Sequence, residues 1–128
     1  MPKIKQEITF AAPLSKVYEA LTQSAAHAAF TGAPAEISAG EGGTFSAYGG
    51  KVHGRTIELV PNKRIVQAWR AGSWPEGVFS IARYDLSEVA GKTKLVFEQD
   101  GVPEDQAGHI DGGWHKMYWE PLKKHLER

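Results

Sequence analysis

Hydrophobic and polar residues alternate along several short segments of the chain, which predicts β-strands. In residues 3–10, Ile4, Ile8 and Phe10 fall on one side of a period-two pattern and charged residues on the other, as in a strand with one buried face. Turn signals such as Gly49-Gly50 separate the later segments and are typical of hairpins. These further strands are predicted over residues 44–48, 51–60, 64–71, 78–86 and 93–99.

Three other segments follow a helical period. A helix is predicted over residues 13–22, where apolar residues recur at i, i+3, i+4 and i+7. A second, short helix is predicted over residues 25–30, with Ser24 as its cap. A long C-terminal helix is predicted from an apolar face that consists of Trp114, Met117, Tyr118, Leu122, His125 and Leu126. Pro121 inside this helix removes a backbone donor and predicts a kink.

The order of these elements predicts an α+β fold. We expect a curved antiparallel sheet of about six or seven strands around the long C-terminal helix, with two short helices after the first strand. Such a sheet does not have to pack solidly against its helix. The space between them predicts a cavity for a small hydrophobic ligand.

Composition narrows the classes of function. The sequence has 128 residues and is expected to form a single domain over residues 1–128. Fifteen basic and fifteen acidic residues cancel, which gives no electrostatic reason to expect nucleic acid binding. No cysteine is present, so thiolate chemistry and cysteine-bound metals are excluded. No segment predicts membrane insertion or a signal peptide, and we expect a cytoplasmic protein without a cofactor.

Several motifs, spread over nearly the whole chain, resemble one known family. They are FTGAPAE at 30–36, GGTF at 42–45, ELVPNK at 58–63, IVQAWR at 65–70, SWPEG at 73–77, GW at 113–114 and YW at 118–119. These motifs resemble the C-terminal domain of the activators of the heat-shock-protein-90 ATPase. That domain belongs to the START-like (SRPBCC) superfamily, and the resemblance implies a helix-grip fold.

The same resemblance implies function less sharply, because one fold hosts many functions. It implies a chaperone partner and a link to the stress response. In the eukaryotic activators, however, a separate N-terminal domain makes the main stimulatory contact, whereas this sequence begins at the helix-grip-type domain. We therefore expect a ligand-binding or accessory domain, with a chaperone-interacting module as the alternative.

Candidate ligand-binding residues come from inward-facing positions and from the aromatic residues. Strict alternation in residues 51–60 places His53, Arg55, Ile57 and Leu59 on one face. Either this face enters the pocket, or a bulge at the glycine-rich start leaves His53 and Arg55 near a solvated edge and only Ile57 and Leu59 reach the core. The aromatic residues are expected to form either core or pocket lining. These candidates are Phe45, Trp69, Phe79, Tyr84, Trp114 and Tyr118.

Catalysis remains a third hypothesis. A cyclase, dehydratase or hydrolase would use His53, Arg55 or Tyr84 to move protons on a bound substrate. The histidines show no metal-binding spacing and the serines no nucleophile elbow, so no metal site is predicted. Trp74 lies in a loop, where it either packs back onto the neighbouring hairpin or presents an exposed aromatic ring to a partner.

Overall fold

A seven-stranded antiparallel sheet forms the framework of the protein. The structure is a computed structural model that describes residues 3–38 and 40–127, so residues 1, 2, 39 and 128 of the predicted domain lie outside the described residues. The strands are β1 (Lys3–Phe10), β2 (Ala35–Ile37), β3 (Thr44–Ala47), β4 (Val52–Val60), β5 (Arg64–Ala71), β6 (Ser80–Val89) and β7 (Lys92–Asp100). Their order across the sheet is β1-β7-β6-β5-β4-β3-β2. Strands β2 to β7 therefore form consecutive hairpin neighbours, and β1 closes the far side against β7.

The helices cover the concave face of this sheet. The first two, α1 (Leu14–Thr22) and α2 (Ser24–Thr31), follow β1, and α1 packs against β6 and β7. The C-terminal helix, residues 107–126, consists of α3 (Ala107–Trp114), a π-helical turn (His115–Trp119) and α4 (Glu120–Leu126). The predicted arrangement of an antiparallel sheet, two short helices after the first strand and a long C-terminal helix is thus confirmed.

Strand β2 was not predicted from the sequence. It has only three residues, directly after Pro34, and pairs with β3 so that Ile37 lies opposite Phe45. A segment this short shows too little alternation to stand out from a loop. Strand β6 also begins at Ser80 instead of residue 78, which leaves Phe79 outside the strand.

A β-bulge changes the register of β4. The pairing with β5 shifts between Thr56 and Glu58, so Thr56 is buried while Ile57 is 49% exposed. Beyond the bulge, Leu59 lies opposite the buried Ile65 and packs against the core. The prediction that Ile57 reaches the core is therefore wrong. Ile57 follows the buried Thr56 and faces outward, and the extra residue of the bulge turns only the later Leu59 inward.

The π-helical turn changes the face that the C-terminal helix buries. Its i→i+5 hydrogen bonding brings both Tyr118 and Trp119 into the core and leaves Met117 43% exposed. The prediction of Met117 on the buried face is wrong, because the added residue rotates the helix. Pro121 has no N–H for the carbonyl of Met117 four residues earlier, and the hydroxyl of Tyr48 donates to that carbonyl instead.

Aromatic rings fill one half of the space between the sheet and the C-terminal helix. Trp114 stacks on Trp119 with 5.4 Å between ring centroids, and Phe97 lies 4.3 Å from Trp114. Both indole N–H groups donate to glutamines of the sheet, Trp114 to Gln99 at 2.8 Å and Trp119 to Gln6 at 2.6 Å. We call these three aromatic residues and two glutamines the packed half. Both indole N–H groups in it have a hydrogen-bond acceptor.

Candidate functional site

The other half of the same space is an open cavity of about 550 Å³. Its sheet side is made by the turn at Tyr48–Gly50, the start of β4 at Val52 and the end of β5 at Ala71. Its other side is the C-terminal helix. Small-molecule sites commonly have volumes of about 300–1,000 Å³, so the cavity is large enough for a small organic ligand.

Aromatic side chains form the inner end of the cavity. Trp69 from β5 packs against Trp114, with 5.5 Å between their ring centroids, and the Tyr118 ring centroid lies 4.7 Å from that of Trp114. All three are less than a tenth exposed. Trp114 thus borders both the packed half and the cavity, and the inner end offers flat apolar surfaces against which an apolar or aromatic ligand can pack.

The helix side of the cavity is lined by Ile110, Gly113 and Met117. Gly113 lies inside α3, where glycine is less stable than alanine by about 1 kcal/mol. A Cβ atom built on Gly113 meets no atom within 4 Å. The lack of a side chain at Gly113 therefore keeps this wall of the cavity open.

Polar side chains lie around the mouth of the cavity. They are Lys51 after the β3–β4 turn, Ser73 in the loop after β5, and Gln106 and His109 at the start of the C-terminal helix. Lys51, Ser73 and His109 are exposed. The cavity thus combines an apolar inner end with a polar rim, which is suited to an amphipathic molecule.

A buried histidine supports the cavity wall from behind. His27 of α2 is 4% exposed, and its Nε2 lies 3.1 Å from the hydroxyl of Tyr118. Burial lowers the pKa of His27 to about 4, so the ring is neutral near pH 7. Burial, and then the neighbouring Tyr48, raise the pKa of Tyr118, which keeps its hydroxyl protonated.

Three of the predicted ligand-binding residues line this cavity: Trp69, Trp114 and Tyr118. Phe45 and Tyr84 instead border a separate void of about 10 Å³, which also touches Tyr118. That volume is about enough for one water molecule. The hydroxyl of Tyr84 donates to Gln67 at 2.8 Å, and burial raises the pKa of Tyr84 well above its usual value. Tyr84 is therefore part of the core.

His53, Arg55 and Phe79 lie outside the cavity. Gly54 pairs with the inward-facing Trp69, so its neighbours His53 and Arg55 point to the outer face of the sheet. The hypothesis that placed these two side chains inside the pocket is corrected by this register. Phe79 precedes β6 and is 47% exposed.

Trp74 packs back onto the hairpin, the first of the two predicted alternatives, and does not present an exposed ring. It is 4% exposed and meets Trp69 edge-on with 5.5 Å between centroids. The guanidinium of Arg70 holds the loop in place by donating to the carbonyl of Trp74 at 2.6 Å and to that of Pro75 at 3.2 Å. Because Ser73 in this loop lines the cavity, Arg70 positions part of the rim.

Several cavity residues were not predicted from the sequence. The alternation predicts Tyr48 as the end of a strand, but Tyr48 has φ 52° and starts the turn that forms one wall. Gly113 and Lys51 were not singled out either. A glycine inside an otherwise apolar helical pattern was the available signal at Gly113, since it is unfavourable there without a packing or functional reason.

Among residues 3–38 and 40–127, no group of three or more His, Asp or Glu side chains is placed to hold a metal ion. Within the same residues, no helix is long and apolar enough to cross a membrane.

A curved antiparallel sheet that encloses a C-terminal helix, with a cavity between them, defines the START-like, helix-grip class of domains. The solved structure of "an HSP90 activator from plasmodium falciparum" shares this fold, with a TM-score of 0.92 and 20% identity over 98% of this chain and 96% of that chain. A second solved structure, of the Aha1 dimer from Colwellia psychrerythraea, gives a TM-score of 0.85 and 25% identity over 99% of this chain and 97% of that chain.

The family is shown by sequence. Residues 11–127 match the family described as "Activator of Hsp90 ATPase homolog 1-like protein", and the chain belongs to this family. It is 36% identical over 122 residues to the human "Activator of 90 kDa heat shock protein ATPase homolog 1", which covers 95% of this chain. The chain spans only 36% of the length of that human relative. The resemblance predicted from the motifs is thus confirmed.

Proposed function

We propose that the chain binds a small, predominantly apolar ligand in the cavity between the sheet and the C-terminal helix. The observation that carries this proposal is the cavity of about 550 Å³ with Trp69, Trp114 and Tyr118 at its inner end. Its volume lies within the usual range for ligand sites. Gly113 supports the proposal, because a helix-destabilising residue stands where a larger side chain would occupy the cavity.

Binding without chemical conversion fits the cavity better than catalysis. The predicted acid–base residues His53 and Arg55 are not among its lining residues, and the one imidazole among its described lining residues, His109, is exposed at the mouth and not at the inner end. Tyr48 and Tyr118 do line it, but burial raises the pKa of both hydroxyls. Phenols with raised pKa values are poor bases near pH 7, so they serve as hydrogen-bonding and packing groups.

A matched pair of helix variants tests this proposal. Gly113→Leu places a side chain at the cavity wall, whereas Gly112→Leu places the same side chain one position away, at an exposed residue that does not line the cavity. Both changes favour the helix equally. Fluorescence titration with the neutral probe N-phenylnaphthylamine should show at least about ten-fold weaker binding to Gly113→Leu, equivalent to about 1.4 kcal/mol, and unchanged binding to Gly112→Leu.

Two outcomes contradict the proposal. One is that the unaltered chain binds neither this probe nor any member of a panel of fatty acids, sterols, flavonoids and polyketides. The other is that Gly113→Leu, with a far-ultraviolet circular dichroism spectrum like that of the unaltered chain, binds the probe with the same affinity.

Interaction with a 90-kDa heat-shock chaperone is the second candidate function. It is favoured by the 36% identity to a human relative whose name describes it as an activator of that ATPase. The buried Trp74 is not available for such a contact. We instead propose the outer face of the sheet, where Phe79 is 47% and Ile81 43% exposed and Arg55, also exposed, lies across Ala68 from Ile81.

The chaperone proposal is tested by ATP hydrolysis. The rate of a purified 90-kDa heat-shock chaperone is measured with the unaltered chain, with Ile81→Glu and with the control Val89→Glu, which changes an apolar residue that is 52% exposed at the end of β6. We expect a change in rate that Ile81→Glu removes and Val89→Glu retains. An unchanged rate, together with no complex by size-exclusion chromatography, contradicts this function.

A further inference from the structure

We propose that the ligand of this cavity carries an anionic group, such as a carboxylate, which Lys51 binds at the mouth while the apolar body packs against the inner end. This inference rests on the proposed ligand-binding function. The size and apolar character of the cavity do not define the charge of its ligand. The present proposal does, and it identifies the ligand as an amphipathic anion that is free in solution.

The charges around the cavity carry the inference. Lys51 lines the cavity, and among the described residues no Asp or Glu does so. Lys51 is exposed and, within residues 3–38 and 40–127, forms no ion pair, whereas Lys5, Lys94 and Lys123 each have a carboxylate partner. A cation at the mouth of an apolar cavity, without a neighbouring carboxylate in that lining, attracts anions and disfavours cationic ligands.

Uncharged donors lie on the same rim. Ser73 supplies a hydroxyl, Gln106 a side-chain amide and His109 an imidazole, and each can donate a hydrogen bond to an anionic oxygen. The acidic residues next to lining residues of this helix are Asp105, before Gln106, and Asp111, after Ile110. Both are exposed and neither lines the cavity, and Asp111 accepts a hydrogen bond from Gln6. The rim is therefore suited to an anion and the inner end to hydrocarbon or aromatic rings.

The position of Lys51 at the open mouth determines how strongly its charge can change the affinity for an anionic ligand. An anion at the open mouth keeps part of its hydration, so it avoids the desolvation penalty of a fully buried charge. Exposed ion pairs change an equilibrium constant by up to about five-fold. We expect Lys51 to strengthen binding of an anionic ligand by about three-fold at low salt, and this gain should decrease as salt is added.

Two fluorescent probes that differ in charge provide the test. Anilinonaphthalene sulfonate and N-phenylnaphthylamine share the same rings, but only the first carries an anionic group. Lys51→Met keeps the apolar stem and removes the charge, and Lys51→Arg restores a charge. Lys92→Met is the matched control, because Lys92 begins β7 at the end opposite to Asp100, away from the cavity.

We expect Lys51→Met to change the ratio of the affinities for the two probes, and not to weaken the binding of both. Lys51→Met should weaken binding of the sulfonate about three-fold and leave binding of the neutral probe unchanged. Lys51→Arg and Lys92→Met should bind both probes as the unaltered chain does. Dodecanoate should displace the sulfonate from the unaltered chain more effectively than methyl dodecanoate does.

The failures of the two proposals can be distinguished. If the unaltered chain binds the neutral probe but Lys51→Met leaves the ratio of the two affinities unchanged, the anionic ligand is excluded and the cavity proposal stands. If neither probe binds the unaltered chain, both proposals fail. Displacement by vesicles of phosphatidylglycerol but not by dodecanoate would overturn the free amphiphile in favour of a membrane surface.

Discussion

The two halves of the space between the sheet and the C-terminal helix differ in packing, although aromatic residues border both. In the packed half, Phe97, Trp114 and Trp119 lie in mutual contact. Trp114 also borders the cavity, but there the lining includes the small residues Ala71 and Gly113. The number of aromatic residues therefore does not determine whether the space between sheet and helix is filled. The size of the residues that face them does.

Buried polar groups also separate the two halves. In the packed half, the indole of Trp114 donates to Gln99, and Gln99 donates in turn to Ser80 at 2.9 Å. Behind the cavity wall and in the loop after β5, the buried Nδ1 of His27, Nε of Arg70 and Nε1 of Trp74 have no hydrogen-bond partner among the described residues, and in α4 the same holds for Nδ1 of His125. A buried polar group without a partner costs about 1–3 kcal/mol, so the region around the cavity is stabilised less completely than the packed half.

The strongest test of this comparison removes one large side chain from each half. Trp119→Ala should lower the free energy of unfolding by about 4 kcal/mol, because it leaves a void and removes the donor to Gln6. Met117→Ala, at a cavity-lining residue that is 43% exposed, should change it by less than about 0.5 kcal/mol. Urea denaturation measures both. Equal losses would show that the two halves do not differ in packing.

A second prediction concerns pH and the histidine behind the cavity. The pKa of His27 is lowered from 6.5 to about 4 by burial, so the unfolded chain binds the proton more readily than the folded chain. Stability from this group is therefore present above pH 6.5 and is lost as the pH falls toward 4, by about 3 kcal/mol in total.

The variant His27→Gln isolates this group. It should be less stable than the unaltered chain at pH 7 but should lose less stability between pH 6.5 and 4.5, as measured by urea denaturation at each pH. Tyr118, the hydrogen-bonding neighbour of His27, keeps its proton throughout this range because its pKa is raised. The same loss of stability in both proteins would assign the effect to other groups.

The smallest predicted change in stability concerns two glycines of α3, one in the cavity wall and one beside it. Gly112→Ala and Gly113→Ala should each raise the free energy of unfolding by up to about 1 kcal/mol, because alanine favours the helix and neither new Cβ meets an atom within 4 Å. Chemical denaturation of both variants measures the gain. If Gly113→Ala is destabilising while Gly112→Ala is stabilising, the wall at Gly113 is tighter than the structure shows.

Most of the fold could be predicted from the sequence because it follows local periodicity. Strand β5 matches its predicted bounds of 64–71, and α1 begins one residue from its predicted start. The two errors of facing, at Ile57 and Met117, both lie where one residue is added to a regular element. Such an insertion depends on contacts with the neighbouring strand or helix, which period counting does not include.

Less of the candidate site than of the fold could be predicted from the sequence. Trp69, Trp114 and Tyr118 were predicted, because large aromatic residues on inward faces lie either in a core or in a pocket. Tyr48 and Gly113 were not, since a cavity depends on where side chains are missing and where a turn leaves the sheet. The sequence left two positions open for Trp74, exposed or packed back, and did not decide between them, because the contacts of Arg70 with the loop carbonyls are not indicated by the sequence pattern.

The contact between Tyr48 and the carbonyl of Met117 has a consequence for how the sequence can evolve. The tyrosine hydroxyl supplies the donor that Pro121 lacks, so the two positions are tied although they lie far apart in the chain. Tyr48→Phe should be harmful while Pro121 is present and better tolerated once Pro121 is replaced by a residue with an N–H. A descendant that loses the proline is thereby released to alter Tyr48, and with it the shape of one wall of the cavity.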